Sequence, residues 1–205
     1  SLRLINTLVT SNTTTQSGGG IYNLSGGLLQ LINSAVINNV APSFGAGINT
    51  TNAGTVILTN SIISNNRATG SSSSQGGGII VRENSTVILY NSLISLNQSG
   101  GTGGGIDAGG SGLVTLINSA VISNTAGARG GGLSGGLRWT LRNVTISGNR
   151  TNGHGGGQMV AGTAQLQLAN VTYSNNTDDA NNWLLNFSGG NHFITSDSAA
   201  HQVCL

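Results

Sequence analysis

Apolar and polar residues alternate along this chain in a short pattern that occurs seven times. Each copy reads Asn-x-x-apolar-x-x-Asn, and the first Asn of successive copies is separated by 27, 27, 31, 27, 25 and 27 residues. The opening residues are Asn6, Asn33, Asn60, Asn91, Asn118, Asn143 and Asn170, and the closing residues are Asn12, Asn39, Asn66, Asn97, Asn124, Asn149 and Asn176. Self-similarity at a fixed period is typical of repeat architectures, so the pattern predicts about seven coils of roughly 27 residues.

Three apolar columns keep step with these asparagines and predict short strands with one buried face. Two residues before the opening Asn stand Leu4, Leu31, Leu58, Leu89, Leu116, Leu141 and Leu168. Four residues before it stand Leu2, Leu29, Val56, Val87, Val114, Trp139 and Leu166, and three residues after it stand Val9, Val36, Ile63, Ile94, Val121, Ile146 and Tyr173. The position between the first two columns varies freely, which gives the two-residue period of a strand.

Glycine clusters such as GGGI at Gly76 and Gly103 recur in phase with the asparagines, and no segment has helical periodicity. Glycine and β-branched residues oppose helix throughout. We therefore predict an all-β, right-handed parallel β-helix in which equivalent residues of successive coils stack about 4.8 Å apart. Stacked asparagine amides can hydrogen-bond along the axis, so both Asn columns are interpreted as structural ladders.

The paired motifs resemble the right-handed parallel β-helix repeats of large bacterial and archaeal surface proteins. They are particularly similar to the Gly-Gly-x-Ile repeats of polymorphic outer-membrane autotransporters, over about Leu2 to Asn176. The chain departs from that pattern because Asn stands where a phenylalanine often opens the second motif. The resemblance implies an extracellular or cell-surface location and a role in adhesion or scaffolding, and it implies no catalytic residue.

Composition narrows the classes of partner. Charged residues make up 6% of the chain, against about 25% in ordinary soluble domains. The seven basic residues are all arginine, scattered along the sequence with few aromatic residues to stack on bases, so we expect no nucleic acid partner. No apolar run approaches the roughly 18 residues of a membrane span. The single cysteine, Cys204, cannot form an internal disulfide, which leaves an intermolecular one open.

The residues that carry chemistry are few and dispersed. Glu83 and Asp107 fall in different columns, Asp178 and Asp179 diverge on a strand, and Asp197 lies near the end. His154 occupies a variable turn column, and the glycine clusters lack the lysine of a phosphate loop. We therefore expect no catalytic residue, no metal site and no cofactor, with a polysaccharide-binding or polysaccharide-cleaving β-helix as a weaker alternative. Ice binding would require outward threonine arrays, and the nearest column is mostly serine: Thr7, Ser34, Ser61, Ser92, Ser119, Val144 and Val171.

The pattern divides the chain into repeats over residues 1–176 and a segment 177–205 that serves as a cap or an inter-subunit contact. We expect the protein to be a non-catalytic subunit of a surface filament that binds copies of itself head to tail. The alternative is a fragment of an adhesin or stalk passenger domain, with surface glycans as further partners. The expected assembly contacts are Leu2, Leu4, Ile62, Leu93, Trp183, Phe187 and Phe193. Among ten Asn-x-Ser/Thr sequons, Asn12 and Asn149 are the expected accessible glycosylation sites.

Overall fold

The structure is a computed structural model that describes residues 1–109, 111–161 and 164–179, together with the strand backbones of residues 185–188 and 193–196. Every regular element in these ranges is a β-strand, and every strand pair is parallel. The predicted all-β parallel solenoid is therefore confirmed. The seven motif copies bound six complete intervals, so the chain makes about six turns of roughly 27 residues.

The first sheet combines two strands from each coil, one on either side of the opening Asn. Its strands before that Asn are β1 (Leu2–Ile5), β4 (Leu28–Ile32), β8 (Thr55–Thr59), β12 (Thr86–Tyr90) and β16 (Leu113–Ile117). Its strands after it are β2 (Leu8–Thr10), β5 (Ala35–Ile37), β9 (Ile62–Ser64), β13 (Leu93–Ser95) and β17 (Ala120–Ile122). In the last coils the two strands become continuous as β20 (Arg138–Ser147) and β23 (Gln165–Ser174), and β26 (Phe193–Ser196) pairs with β23.

Two further sheets complete each coil. The second sheet contains β6 (Val40–Ala41), β10 (Arg67–Ala68), β14 (Gln98–Ser99), β18 (Thr125–Ala126), β21 (Arg150–Thr151) and β24 (Thr177–Asp178). The third sheet contains β3 (Ile21–Asn23), β7 (Ile48–Thr50), β11 (Ile79–Val81), β15 (Ile106–Ala108), β19 (Leu133–Gly135), β22 (Gln158–Ala161) and β25 (Leu185–Ser188). Residues one repeat apart are direct strand partners, such as Leu31 with Leu58.

The core is formed by the three apolar columns together with the Ile column of the third sheet. From the second coil to the sixth, these residues are buried in one cluster that includes Leu31, Val56, Ile63, Ile106 and Leu141. Trp139 fills a position that valine or leucine holds elsewhere, and its indole N–H donates to the carbonyl oxygen of Gly135 at 2.5 Å. Alternating side chains along each strand therefore place the predicted columns inside the solenoid.

Strand pairing does not stop at the expected boundary after residue 176. Thr177–Asp178 pairs with Arg150–Thr151, Leu185–Ser188 pairs with Gln158–Ala161, and Phe193–Ser196 pairs with Gln165–Leu168. The described strands of the 177–205 segment thus continue all three sheets at the backbone level, although the segment lacks the Asn motif. Backbone groups pair whatever the side chains are, which is why loss of the motif did not end the sheets.

Candidate functional site

The closing asparagines form a continuous buried amide ladder. From Asn39 to Asn176 their side chains are at most 4% exposed, whereas Asn12 at the first coil is exposed. In each step the backbone N–H and the Nδ2 of one Asn donate to Oδ1 of the next, as from Asn39 to Asn66 at 3.0 and 2.9 Å. Nδ2 also donates to a backbone oxygen of the preceding coil, as from Asn66 to Val36 at 2.9 Å. The ladder therefore satisfies the polar groups of a turn that is otherwise sealed in the core.

The opening asparagines form a second column that faces solvent. All seven are exposed and adopt positive φ angles between 48° and 53°. Their amides bond along the axis at several steps, with Nδ2 of Asn143 donating to Oδ1 of Asn118 at 2.8 Å and Nδ2 of Asn170 donating to Oδ1 of Asn143 at 2.9 Å. Asparagine tolerates the left-handed region better than most residues, so the column is explained by turn geometry.

A third ladder, of serines, was not predicted. Ser34, Ser61, Ser92 and Ser119 are buried, and the backbone N–H of each of the first three donates to the hydroxyl of the next, as from Ser61 to Ser92 at 3.1 Å. Each hydroxyl donates in turn to the carbonyl oxygen two residues earlier, as from Ser92 to Tyr90 at 2.8 Å. The column considered for ice binding is therefore internal. Val144 and Val171 replace serine at the two positions where the strands become continuous.

The titratable groups of the described residues do not converge on one site. Asp178 is buried and accepts a hydrogen bond from the backbone N–H of Gly155, while Asp179 is exposed and pairs with Arg150 at 3.3 Å. His154 is exposed in the turn column that also holds Gln75 and Arg129. Within the described residues no group of three or more His, Cys, Asp or Glu side chains is placed to hold a metal ion. Asp197 and Cys204 lie outside those residues.

Among the carboxylates of the described residues, Asp107 is the one whose pKa is strongly shifted. Its side chain is 4% exposed on β15, where it accepts a hydrogen bond from the hydroxyl of Thr102. Burial raises the pKa of Asp107 from 3.8 to about 6, and hydrogen bonds from Thr102 and Ser134 and the charge of Arg82 oppose that shift. Loss of hydration destabilises the charged carboxylate more than the hydrogen bonds and the charge of Arg82 stabilise it.

The residues expected to mediate assembly fall in three places. Leu2 is 51% exposed and Leu4 is partly buried in the first coil, at the edge of the first sheet. Ile62 is 42% exposed and Leu93 is half-buried, and both line a shallow groove of about 600 Å³ along the side of the solenoid with Asn60, Asn91 and Asn118. Trp183 lies outside the described residues, as do the side chains of Phe187 and Phe193.

The two expected glycosylation sites differ in accessibility. Asn12 is exposed, although its Nδ2 donates to Oδ1 of Asn39 at 2.9 Å. Asn149 is fully buried, and its Nδ2 donates to Val121 O and to Oδ1 of Asn176, both at 2.9 Å. The prediction that Asn149 is accessible was wrong, because the closing Asn turns inward to fill the ladder.

Three parallel sheets, in-register columns and internal amide ladders define the protein as a parallel β-solenoid. The family described as the right-handed β-helix region matches residues 4–177, and the chain belongs to that family. Searches of curated proteins and of solved structures found no match to this chain. Among the described residues there is no helix that could span a membrane.

Proposed function

We propose that the chain is a non-catalytic structural segment of an extracellular or cell-surface filament, and that copies of it stack head to tail. The supporting observation is that the core residues of the first coil are left partly exposed to solvent. Leu2 is 51% exposed, and the core residues Leu4 and Val9 are only partly buried. Their equivalents one coil later, Leu31 and Val36, are fully buried. An added coil would bury the same columns in the first coil by the same in-register contacts.

The buried Asn ladder gives this stacking a direction. Each Asn donates toward the next coil, so Oδ1 of every ladder residue from Asn39 onward accepts two hydrogen bonds from the coil before it. Oδ1 of Asn12 accepts none from the described part of the chain. A coil stacked on the first sheet edge would offer a backbone N–H and an Nδ2 to Asn12, which makes the contact heterologous and able to repeat without closing.

The second candidate is a stalk or adhesin passenger domain in which further coils of the same polypeptide cover the first one. The same exposed columns and the same acceptor favour it, because preceding coils would contact Leu4, Val9 and Asn12 as a second copy would. In that case the solenoid is a spacer that presents another region to surface glycans.

Negative-stain electron microscopy and sedimentation velocity of the purified chain distinguish the two candidates. We expect fibres with an axial repeat of one solenoid length, and we expect Leu4→Asp with Val9→Asp to yield single rods because charged side chains would be buried at the junction. Leu96→Asp is the matched control, since Leu96 is 55% exposed on the side of the solenoid. Single rods of the native chain at high concentration would contradict the filament and support the stalk.

A further inference from the structure

A recess of about 260 Å³ lies beside the third sheet and is lined by residues of the first three coils. Its lining includes Tyr22, Phe44, Asn49, Thr51, Arg82 and Glu83. Tyr22 and Asn49 are in-register partners on β3 and β7. The neighbouring Ile48 belongs to the core cluster, so the alternation of the strand places Asn49 on the opposite, outer face.

Asn49 carries a polar atom that the described residues leave without a partner. Its side chain is 4% exposed, and Oδ1 is buried with no hydrogen bond. An unpaired buried acceptor is costly, and the neighbouring strand position is the apolar Ile80, so the fold does not require an amide at this position. An O–H or N–H donor that enters the recess would satisfy Asn49.

The two charged side chains of the recess, Arg82 and Glu83, each contact a neighbouring side chain, and their formal charges cancel. The guanidinium of Arg82 lies over the ring of Phe44, 4.6 Å from its centroid, and Thr51 Oγ1 donates to Oε2 of Glu83 at 2.7 Å. The positive charge of Arg82 disfavours a bare metal cation, and the carboxylate of Glu83 disfavours a phosphate or another anion. The occupant that fits is neutral, with several hydrogen-bonding groups.

The edges of the recess add an apolar surface and a strained backbone. The Tyr22 ring is 53% exposed and offers a flat apolar face with a polar end. Glu83 has φ of 52°, the left-handed turn conformation that Ser25 and Asn52 also adopt at the equivalent positions of the two preceding coils, and glutamate adopts it less readily than asparagine.

We propose that this recess binds a neutral saccharide residue of a larger glycan. A sugar hydroxyl donates to Oδ1 of Asn49, a second hydroxyl donates to Glu83 and accepts from Arg82, and the sugar ring packs on Tyr22. The volume is below the roughly 300–1,000 Å³ of sites for drug-sized ligands, which suits a single sugar unit. The site is independent of stacking at the first coil, so either proposal can fail alone.

The experiment measures binding of neutral trisaccharides of glucose, mannose, galactose and N-acetylglucosamine to the intact chain by saturation-transfer NMR and titration calorimetry. We expect at least one of them to bind, and Asn49→Leu to weaken it about tenfold, as loss of one net hydrogen bond implies. Asn49→Leu should keep the fold, because it removes the unpaired acceptor and Ile80 shows that the column accepts an apolar residue.

Two further variants separate binding from folding. Glu83→Asn relieves the left-handed strain, so it should raise thermal stability while it weakens the sugar. Tyr22→Ala should also weaken it, whereas Tyr90→Ala should not, because Tyr90 is a comparably exposed tyrosine on the first sheet. Failure of every neutral trisaccharide to bind, equal affinity of Asn49→Leu, or stronger binding of a galacturonic acid trisaccharide would each overturn the proposal.

Discussion

The backbone N–H and the Nδ2 of Asn66 both donate to Oδ1 of Asn97 at 3.0 Å, although 31 residues separate the two asparagines. Steps of 27 and 25 residues in the same ladder have bonds of the same length, as from Asn97 to Asn124 and from Asn124 to Asn149 at 3.0 Å. The additional residues near Ser71 therefore form a turn outside the core path, and the ladder keeps its geometry when coil length varies.

The first prediction concerns the middle of this ladder. Asn97→Ala removes the acceptor of both Asn66 donors and the donor that serves Ile63 O, all in the buried core. Buried groups left without partners cost about 1–3 kcal/mol each, so we expect a loss of about 3 kcal/mol in the free energy of unfolding measured in urea. The control is Asn91→Ala in the exposed column, which leaves no buried group unpaired and should lose only about 1 kcal/mol, the cost of alanine at a left-handed position.

The second prediction concerns Leu96, which precedes Asn97 and has φ of 57° while its side chain is 55% exposed. The equivalent left-handed positions of neighbouring coils hold Asn65, Ser123 and Gly148. Leu96→Asn should raise the free energy of unfolding by about 0.5–1 kcal/mol, because asparagine adopts this conformation at lower cost. The reverse change, Asn65→Leu, should lower it by a similar amount, and a neutral result for both would contradict the argument.

The sequence was sufficient to predict the parallel solenoid, its period and its core columns, because leucines and asparagines repeat in phase. It was not sufficient to predict which turn residues face inward. Leu31, Ser34 and Val36 are all buried while Asn33 between them is exposed. The left-handed Asn33 shifts the alternation by one residue, so a simple period of two gives the wrong face for residues beyond such a turn.

The proposed binding recess was not predicted for a related reason. Tyr22, Asn49 and Arg82 belong to three coils and to positions that vary from coil to coil, so no repeating column identifies them. A repeating column identifies residues that every coil requires for folding, whereas a site formed at one place consists of residues that differ from the repeat. Asn49 was visible in the sequence only as one of the sequons.

The third prediction concerns a polar pair in the core of the last coils. The hydroxyl of Tyr173 donates to Oε1 of Gln158 at 2.5 Å, burial raises the pKa of Tyr173, and Nε2 of Gln158 is buried without a partner in the described residues. Tyr173→Phe or Gln158→Leu alone should destabilise by about 1–3 kcal/mol, because each leaves a polar group unpaired.

The double variant Tyr173→Phe with Gln158→Leu should recover most of the stability that either change alone removes. Leucine at position 158 matches Ile106 and Leu133, which hold the same column in the two preceding coils. A double-mutant cycle from urea unfolding measures the coupling. Strictly additive losses would show that the two side chains do not act as a pair.

The fourth prediction concerns pH. Folding raises the pKa of Asp107 from its ordinary value of 3.8 to about 6, so the folded state holds the proton of this carboxyl more tightly than the unfolded state does. The contribution of Asp107 to stability is therefore fully present below about pH 4 and is lost as pH rises through 6, on the order of 3 kcal/mol in total. An ion-paired carboxylate shows the opposite pH dependence, because folding lowers its pKa and its contribution to stability is lost as pH falls.

The difference in unfolding free energy between the native chain and Asp107→Asn isolates this contribution. The native chain should have its largest stability advantage over Asp107→Asn near pH 4, and this advantage should decrease steadily up to about pH 7. Arg82 is the charged group that acts on Asp107, so Arg82→Gln should shift the midpoint of that change to higher pH. A difference that does not vary with pH would show that Asp107 does not titrate in this range.

The last prediction concerns contacts between neighbouring solenoids side by side. Leu8, Ala35, Ile62, Leu93 and Ala120 form an outward apolar strip, and the shallow groove beside the opening asparagines carries no charged residue in its described lining. With few charges to keep molecules apart, such a strip favours lateral packing. Ile62→Asp with Leu93→Asp should therefore abolish bundling of the proposed filaments in electron micrographs and leave single filaments intact. Gln98→Asp with Thr177→Asp is the matched control on the second sheet, where the native residues are polar and exposed and lie outside the groove lining. Bundles that persist in the first variant, or that vanish equally in the control, would show that lateral association uses another face.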